Sequence, residues 1–246
     1  MSGPDWLTAR PVAHRGLHDA TRGVIENTPS SVAAAVAANY AIEVDLQITA
    51  DGEAMVHHDD ALGRLTEGSG ALKALAGAEL RRVAFKATTD HMISLGELCE
   101  LVAGRVTLLL ELKSHFDDDR RLPMRVVELL RGYRGPVAVM SFDPGQIAAI
   151  RHAAPGLRRG LVAEKRYRTR RQDWSWFRSS TAYARAVLEA RMQFLAYSVR
   201  DLPSPVPLTS RLVFGLPLLT WTVRSDEDRA RAGRWADQMI FEGFRP

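Results

Sequence analysis

The sequence predicts an α/β protein, a single (β/α)8 TIM barrel with a short insertion between its second and third strands. Short apolar, β-branched runs alternate with longer amphipathic stretches along the whole chain, the pattern of repeated strand-helix units around a parallel sheet. Eight such runs can be counted, as many as a closed barrel needs, and the 246 residues fit the usual size of one barrel domain spanning 1–246. The runs fall at 11–14, 42–48, 106–112, 137–141, 160–163, 194–197, 218–223 and 238–241.

Helix starts between them are marked by capping residues. Thr28 precedes Pro29 and an alanine-rich stretch, and Asp143-Pro144 precedes Gln146 to Ile150, so each pair supplies an N-cap and a proline at the first helical position. The alternation is interrupted once. Asp51-Gly52 reads as a tight turn, and two helical patterns follow before the third barrel strand, giving a small insertion at about 59–105.

Hydrophobic residues make up 46% of the chain and charged residues 25%, an ordinary globular balance that excludes disorder. A net charge of +4 suits anionic small molecules and membrane headgroups but is weak for a polynucleotide binder. Cys99, alone and flanked by leucines and valine, has no intramolecular disulfide partner and reads as a buried helix position in a reducing compartment. No leader pattern opens the chain and no apolar run reaches spanning length, so the expectation is a cytoplasmic protein without stable membrane insertion.

Residues 158–178 gather Arg158, Arg159, Lys165, Arg166, Arg168, Arg170, Arg171 and Arg178 around Trp174, Trp176 and Phe177. Interleaved arginine and aromatic residues can hold single strands by charge and stacking. No binding-motif spacing accompanies them, so a solvated face beside an anionic-substrate pocket is preferred and no nucleic-acid partner is expected.

In a parallel barrel the reacting groups gather at the C-terminal ends of strands. Those ends here are ionisable: the first strand runs into Ala13-His14-Arg15-Gly16, the second carries Glu43-Val44-Asp45, and the third ends in Glu111-Leu112-Lys113. Glu43 and Asp45 are two apart in an extended strand and share a face, inward if Ile42, Val44 and Leu46 face the helices. Paired inward carboxylates repel unless they share a hard cation, Mg²⁺ or Ca²⁺, and Glu111 completes an oxygen set. The competing reading is a salt-bridge network with Lys113 and Arg15 and no metal. His14 and one of the neighbours His57 and His58 supply imidazoles for general acid-base work. Residue alternation stops both neighbours from facing one site, and periodicity does not choose between them.

His14-Arg15-Gly16, Glu26-Asn27-Thr28, Glu43-Val44-Asp45, Thr49-Ala50-Asp51-Gly52 and Val56-His57-His58-Asp59 with Leu62 and Arg64 resemble, in order and spacing, the signature of the glycerophosphodiester phosphodiesterase family. The resemblance continues through Glu111-Leu112-Lys113, Ser141-Phe142-Asp143 and Trp221-Thr222-Val223. It implies a metal-dependent enzyme that cleaves glycerophosphodiesters to sn-glycerol 3-phosphate and an alcohol. His14 and His58 match the family's acid-base pair, and Glu43, Asp45 and Glu111 its ligands for one divalent cation. Arg15 and Lys113 match its phosphate contacts, and Trp221 an aromatic wall against the alcohol side. Alternatives are cleavage of lysophospholipids through an apolar channel lined by Leu212, Val213, Phe214 and Leu216, and a non-catalytic phosphoester-binding barrel. The chain departs from the family pattern at Ile25, where proline is usual, and at its end, where Glu242 is expected to replace an aspartate on the rim, away from the histidine and carboxylate set.

Overall fold

The computed structural model describes residues 5–165, 187–188 and 190–246. Among the described residues nine strands form one sheet: β1 (Val12–Ala13), β2 (Ala41–Ile48), β3 (Ala54–Val56), β4 (Leu108–Leu112), β5 (Val137–Ser141), β6 (Arg158–Ala163), β7 (Phe194–Ser198), β8 (Leu218–Val223) and β9 (Gln238–Phe241). All neighbours pair in parallel except β3, which lies antiparallel to β2. β1 pairs with both β2 and β9, so eight parallel strands close into the expected barrel.

Described helices are α1 (Pro29–Ala37), α2 (Gly77–Leu80), α3 (Leu95–Val102), α4 (Arg121–Leu130), α5 (Pro144–Ala153), α6 (Pro205–Leu212) and α7 (Asp226–Trp235). None is long and apolar enough to cross a membrane. Asp143 caps α5 as its spacing predicts, its Oδ1 accepting from the Gly145 amide at 2.8 Å. Thr28 precedes α1, and its own amide donates to Ser31 Oγ at 3.2 Å.

The first strand is shorter than the sequence predicts. Arg15 and Gly16 take φ of 54° and 80°, which turns the chain out of the sheet immediately after His14. Gly16 has a steric reason as well, since a Cβ there would lie 2.5 Å from Ser31 Oγ. Asp51-Gly52 makes the predicted turn, with Gly52 at φ 84°, but it closes a β2–β3 hairpin rather than leading straight into helix. Beyond it, Met55, Leu72, Leu80, Phe85 and Met92 pack with Ile25 into a small separate core.

Alternation along the barrel strands divides apolar from ionisable positions. Ile42, Val44 and Leu46 on β2 and Leu108, Leu110 and Leu112 on β4 face outward, packing with Val32, Leu98 and Val126 of the helices. The inward set near the strand starts is apolar, with Val12, Ala41, Leu109, Ala138, Phe194 and Ile240 among its members. Gly160 makes room for this layer, because a Cβ there would meet the Phe194 ring at 2.4 Å. Continuing inward and upward by twos leads to His14, Glu43, Asp45, Glu111 and Lys113, which line a cavity at the strand C-termini. Cys99 lies half-buried on α3, and burial pushes its thiol pKa up to about 11.

Candidate active site

A cavity of about 200 Å³ opens where the barrel strands end, lined by His14, Arg15, Glu43, Asp45, His58, Glu111, Lys113 and Trp221. All eight residues singled out from the sequence therefore meet in one place. The chosen neighbour matters: His58 faces the cavity, whereas His57 is buried beside the Phe85 ring, 6.5 Å between centroids. Burial lowers the His57 pKa.

Glu43, Asp45 and Glu111 offer oxygens that all lie within 4.8 Å of one another. Burial, with Asp45 and Glu111 as like-charged neighbours, raises the Glu43 pKa well above the ordinary carboxylate range. Its Oε2 accepts from the Arg15 amide at 3.0 Å, while Oε1 is buried without any partner. Asp45 is also buried, yet Lys113 and Arg15 outweigh the desolvation and lower its pKa. Lys113 Nζ reaches Asp45 Oδ1 at 2.8 Å and Glu111 Oε1 at 2.6 Å. Arg15 Nη1 donates to Glu26 at 2.7 Å, and its Nε lies 3.3 Å from Asp45.

The salt-bridge network and the clustered oxygens thus coexist. Arg15 and Lys113 face the three site carboxylates, and Arg15 is shared with Glu26, so the two cations do not balance all three acids; the shortfall falls on Glu43, whose raised pKa and partnerless Oε1 mark it. A hard divalent cation fits that edge, since it would supply the missing charge and take up the orphaned oxygen.

Both cavity histidines are held through Nδ1. His14 Nδ1 meets Glu242 Oε2 at 2.5 Å, and His58 Nδ1 meets Asp59 Oδ1 at 2.8 Å. An ionised carboxylate only accepts, so each bond places a proton on Nδ1 and leaves Nε2 to exchange one with a ligand. The two buttressing carboxylates are themselves fixed: Arg224 Nε donates to Glu242 at 2.8 Å, and Arg64 Nε donates to Asp59 at 2.6 Å. Burial works to raise the Glu242 pKa, but the bonds from His14 and Arg224 outweigh it and depress the value.

This corrects the sequence-based expectation for the C-terminus. Glu242 does not sit apart from the histidine set; it touches His14. Its position one residue beyond β9, at a strand C-terminus, is the signal that identifies the other site carboxylates. Asn27 was equally understated. It is buried, donates from Nδ2 to Asp45 at 2.9 Å, and accepts from the Asp45 amide at 3.3 Å. Its φ of 57° is one that asparagine tolerates better than most residues.

Trp221 lines the cavity and packs edge-on against Phe142, ring centroids 5.6 Å apart, with its indole nitrogen buried and unpartnered. The suggested apolar channel is not formed at this mouth. Leu212 ends α6, and Val213, Phe214 and Leu216 belong to the segment leading into β8, at the opposite end of the barrel. Of the Arg-rich segment, Arg158 and Arg159 belong to β6 and Lys165 follows it, while residues 166–178 lie outside the described residues.

Comparison with known proteins agrees with this architecture. A protein named glycerophosphodiester phosphodiesterase from Caldanaerobacter subterraneus is 27% identical over 161 residues, 61% of this chain and 65% of that protein's length. The structure of a candidate glycerophosphoryl diester phosphodiesterase from Silicibacter pomeroyi is 28% identical with a TM-score of 0.77, covering 94% of this chain and 89% of that one. An Oleispira antarctica phosphodiesterase, solved with the product sn-glycerol-3-phosphate, shares the fold at a TM-score of 0.77 and 20% identity over 94% of this chain and 91% of its own. The profile of the Glycerophosphoryl diester phosphodiesterase family matches residues 14–244, from the first site histidine to just beyond Glu242, and the chain belongs to that family.

Proposed function

We propose that this protein hydrolyses glycerophosphodiesters to sn-glycerol 3-phosphate and an alcohol, as one catalytic domain spanning 1–246 with a small insertion at about 59–105. The observation that carries the reading is the meeting, in one cavity, of two Nδ1-anchored histidines with three clustered carboxylates. Family membership and the product bound to the Oleispira protein support the choice of reaction.

His14 and His58 exchange protons at Nε2, one drawing a proton from the attacking hydroxyl and the other giving one to the departing alcohol. Arg15 and Lys113 turn toward the phosphoryl oxygens as the ester binds, and Trp221 walls the alcohol side. Glu43, Asp45 and Glu111 hold one divalent cation, Mg²⁺ or Ca²⁺, which when bound supplies charge neutralisation at the phosphoryl group. A small diester in the cytoplasm is the natural substrate of such a site. The lysophospholipid alternative loses its main support, since the apolar residues that suggested a channel are at the other end of the barrel.

The test is release of glycerol 3-phosphate from glycerophosphocholine by the purified protein, with EDTA and with added Mg²⁺ or Ca²⁺. Release that EDTA abolishes and divalent cation restores is the expected result. Absence of release under all conditions would leave the non-catalytic phosphoester-binding barrel as the better reading.

A further inference from the structure

Five of the six large hydrophobic side chains exposed among the described residues lie at one end of the barrel, the end opposite the cavity: Trp6, Leu188, Leu212, Val213 and Phe214. Trp6 is in the segment entering β1, Leu188 precedes β7, and the consecutive trio joins α6 to β8. Leu188 and the trio are between 70 and 75% exposed, far more than scattered surface apolars require.

The trio is a fixed projection. Gly215 takes φ 64° and reverses the chain, the Phe214 amide donates to Thr209 O at 3.3 Å, and the Leu216 amide donates to Ser210 O at 3.1 Å. These bonds close the end of α6 and hold Leu212, Val213 and Phe214 outward. A convex apolar tip suits a penetrable surface better than a rigid groove.

Charge at this end is mainly basic: exposed Glu100 and Glu128 in the last turns of α3 and α4 are offset by Arg151, Arg211 and Arg234 in the last turns of α5, α6 and α7. The segments leading into the eight barrel strands carry five exposed arginines, Arg10, Arg105, Arg131, Arg134 and Arg191, and only two acidic residues, Asp5 and Asp237. Those two are already bonded to Arg158 and Arg211. Among the described residues Arg131, Arg134 and Arg191 have no carboxylate partner.

We infer that this end of the barrel is a docking face for an anionic lipid bilayer, with Leu212, Val213 and Phe214 entering the interface and the arginines meeting the headgroups. Trp6, an amphipathic ring with Arg158 stacked at 5.3 Å, suits the same interfacial depth. A second copy of this chain is a poorer occupant, because it would bring one arginine ring against another. The orientation leaves the cavity facing water. Docking therefore does not obstruct a soluble ligand, and the inference is independent of the reaction proposed above.

The experiment is vesicle flotation of the whole protein with phosphatidylcholine alone and with phosphatidylcholine mixed with phosphatidylglycerol, at low and high salt. Binding is expected only to the anionic vesicles and is expected to be released by salt. Arg131→Ala with Arg134→Ala should weaken binding about fivefold per arginine. Val213→Ser with Phe214→Ser should weaken it about tenfold or more. Both variants should melt like the parent and keep its rate on soluble diester, or its circular dichroism if no turnover is found.

No flotation, or flotation indifferent to Phe214, would overturn the inference. So would self-association abolished by Phe214→Ser, which would assign the face to a second copy. Salt-sensitive binding to single-stranded DNA without binding to anionic vesicles would likewise overturn it.

Discussion

His14 follows β1 and His58 follows β3, yet each is anchored through Nδ1 by a carboxylate that is in turn held by an arginine. That arrangement fixes the tautomer and the orientation of each ring, leaving Nε2 toward the cavity. Glu242 is then a positioning residue. Glu242→Gln keeps the shape but removes the charge, and kcat should fall about 10–100-fold with KM little changed. Glu242→Asp, which restores the charge, should recover part of the lost kcat, a rescue that mere loosening of the fold would not show. An unchanged kcat in Glu242→Gln would reduce Glu242 to packing. His58→Ala should abolish turnover, while His57→Ala should retain it at some cost in stability, since His57 is buried against Phe85 rather than in the cavity. Residue chemistry was legible at His14, Glu43, Asp45 and Glu111 because each is an ionisable group in a strand that must be mostly apolar. Glu242 and Asn27 were harder to see. Glu242 ends a strand whose ending departs from the family pattern, and Asn27 acts through a left-handed turn that sequence periodicity does not display.

At the level of elements, turn chemistry and caps largely decided where structure begins and ends. The strands at 137–141, 218–223 and 238–241 have the predicted boundaries because apolar alternation stops sharply there. β3 was missed as a strand because three residues give no measurable period, and only its pairing with β2 defines it. The α3 start shows what capping contributes. Ser94 Oγ accepts from the Glu97 amide at 3.3 Å, and Glu97 Oε2 accepts in return from the Ser94 amide at 2.7 Å and from Arg81 Nη2 at 2.8 Å. Burial pushes the Glu97 pKa up, but the bonds from Arg81 and Ser94 prevail and bring it to about 2. The folded pKa is thus depressed below the ordinary 4.5, so the stabilisation is fully present above pH 4.5 and is lost as pH falls through about 2. Glu97→Gln should lower Tm at neutral pH, and the difference from the parent should shrink between pH 4.5 and pH 2. Thermal melts across that window check it; a difference independent of pH would mean that geometry, and not charge, is what the capping box contributes. Because the group is well exposed, the effect should be a small fraction of total stability.

The whole molecule is organised along the barrel axis, with an apolar inward layer below and an ionisable one above, and this is why fold and site could be read from the same strands. The period of two that marks Glu43 and Asp45 as inward also marks Ala41 as inward, and the site stands on the layer beneath it. Closure was less legible: it depends on two residues of β1 pairing with strands from both ends of the chain, which no local pattern encodes. Phe194 is the largest side chain of the lower layer, fully buried and seated over the glycine at 160. Phe194→Ala would empty the barrel interior where no neighbour can collapse, since the surrounding groups are held in paired strands. A loss of about 3–5 kcal/mol is expected, a large part of the roughly 5–15 kcal/mol that holds a typical domain together. The urea midpoint should fall accordingly with the slope unchanged, because the same strands still unfold together. Turnover measured well below the new midpoint should stay near that of the parent, since the substitution lies beneath the cavity and touches none of its ionisable groups. If activity instead fell while stability held, the lower layer would have to be counted as part of the site rather than as its foundation.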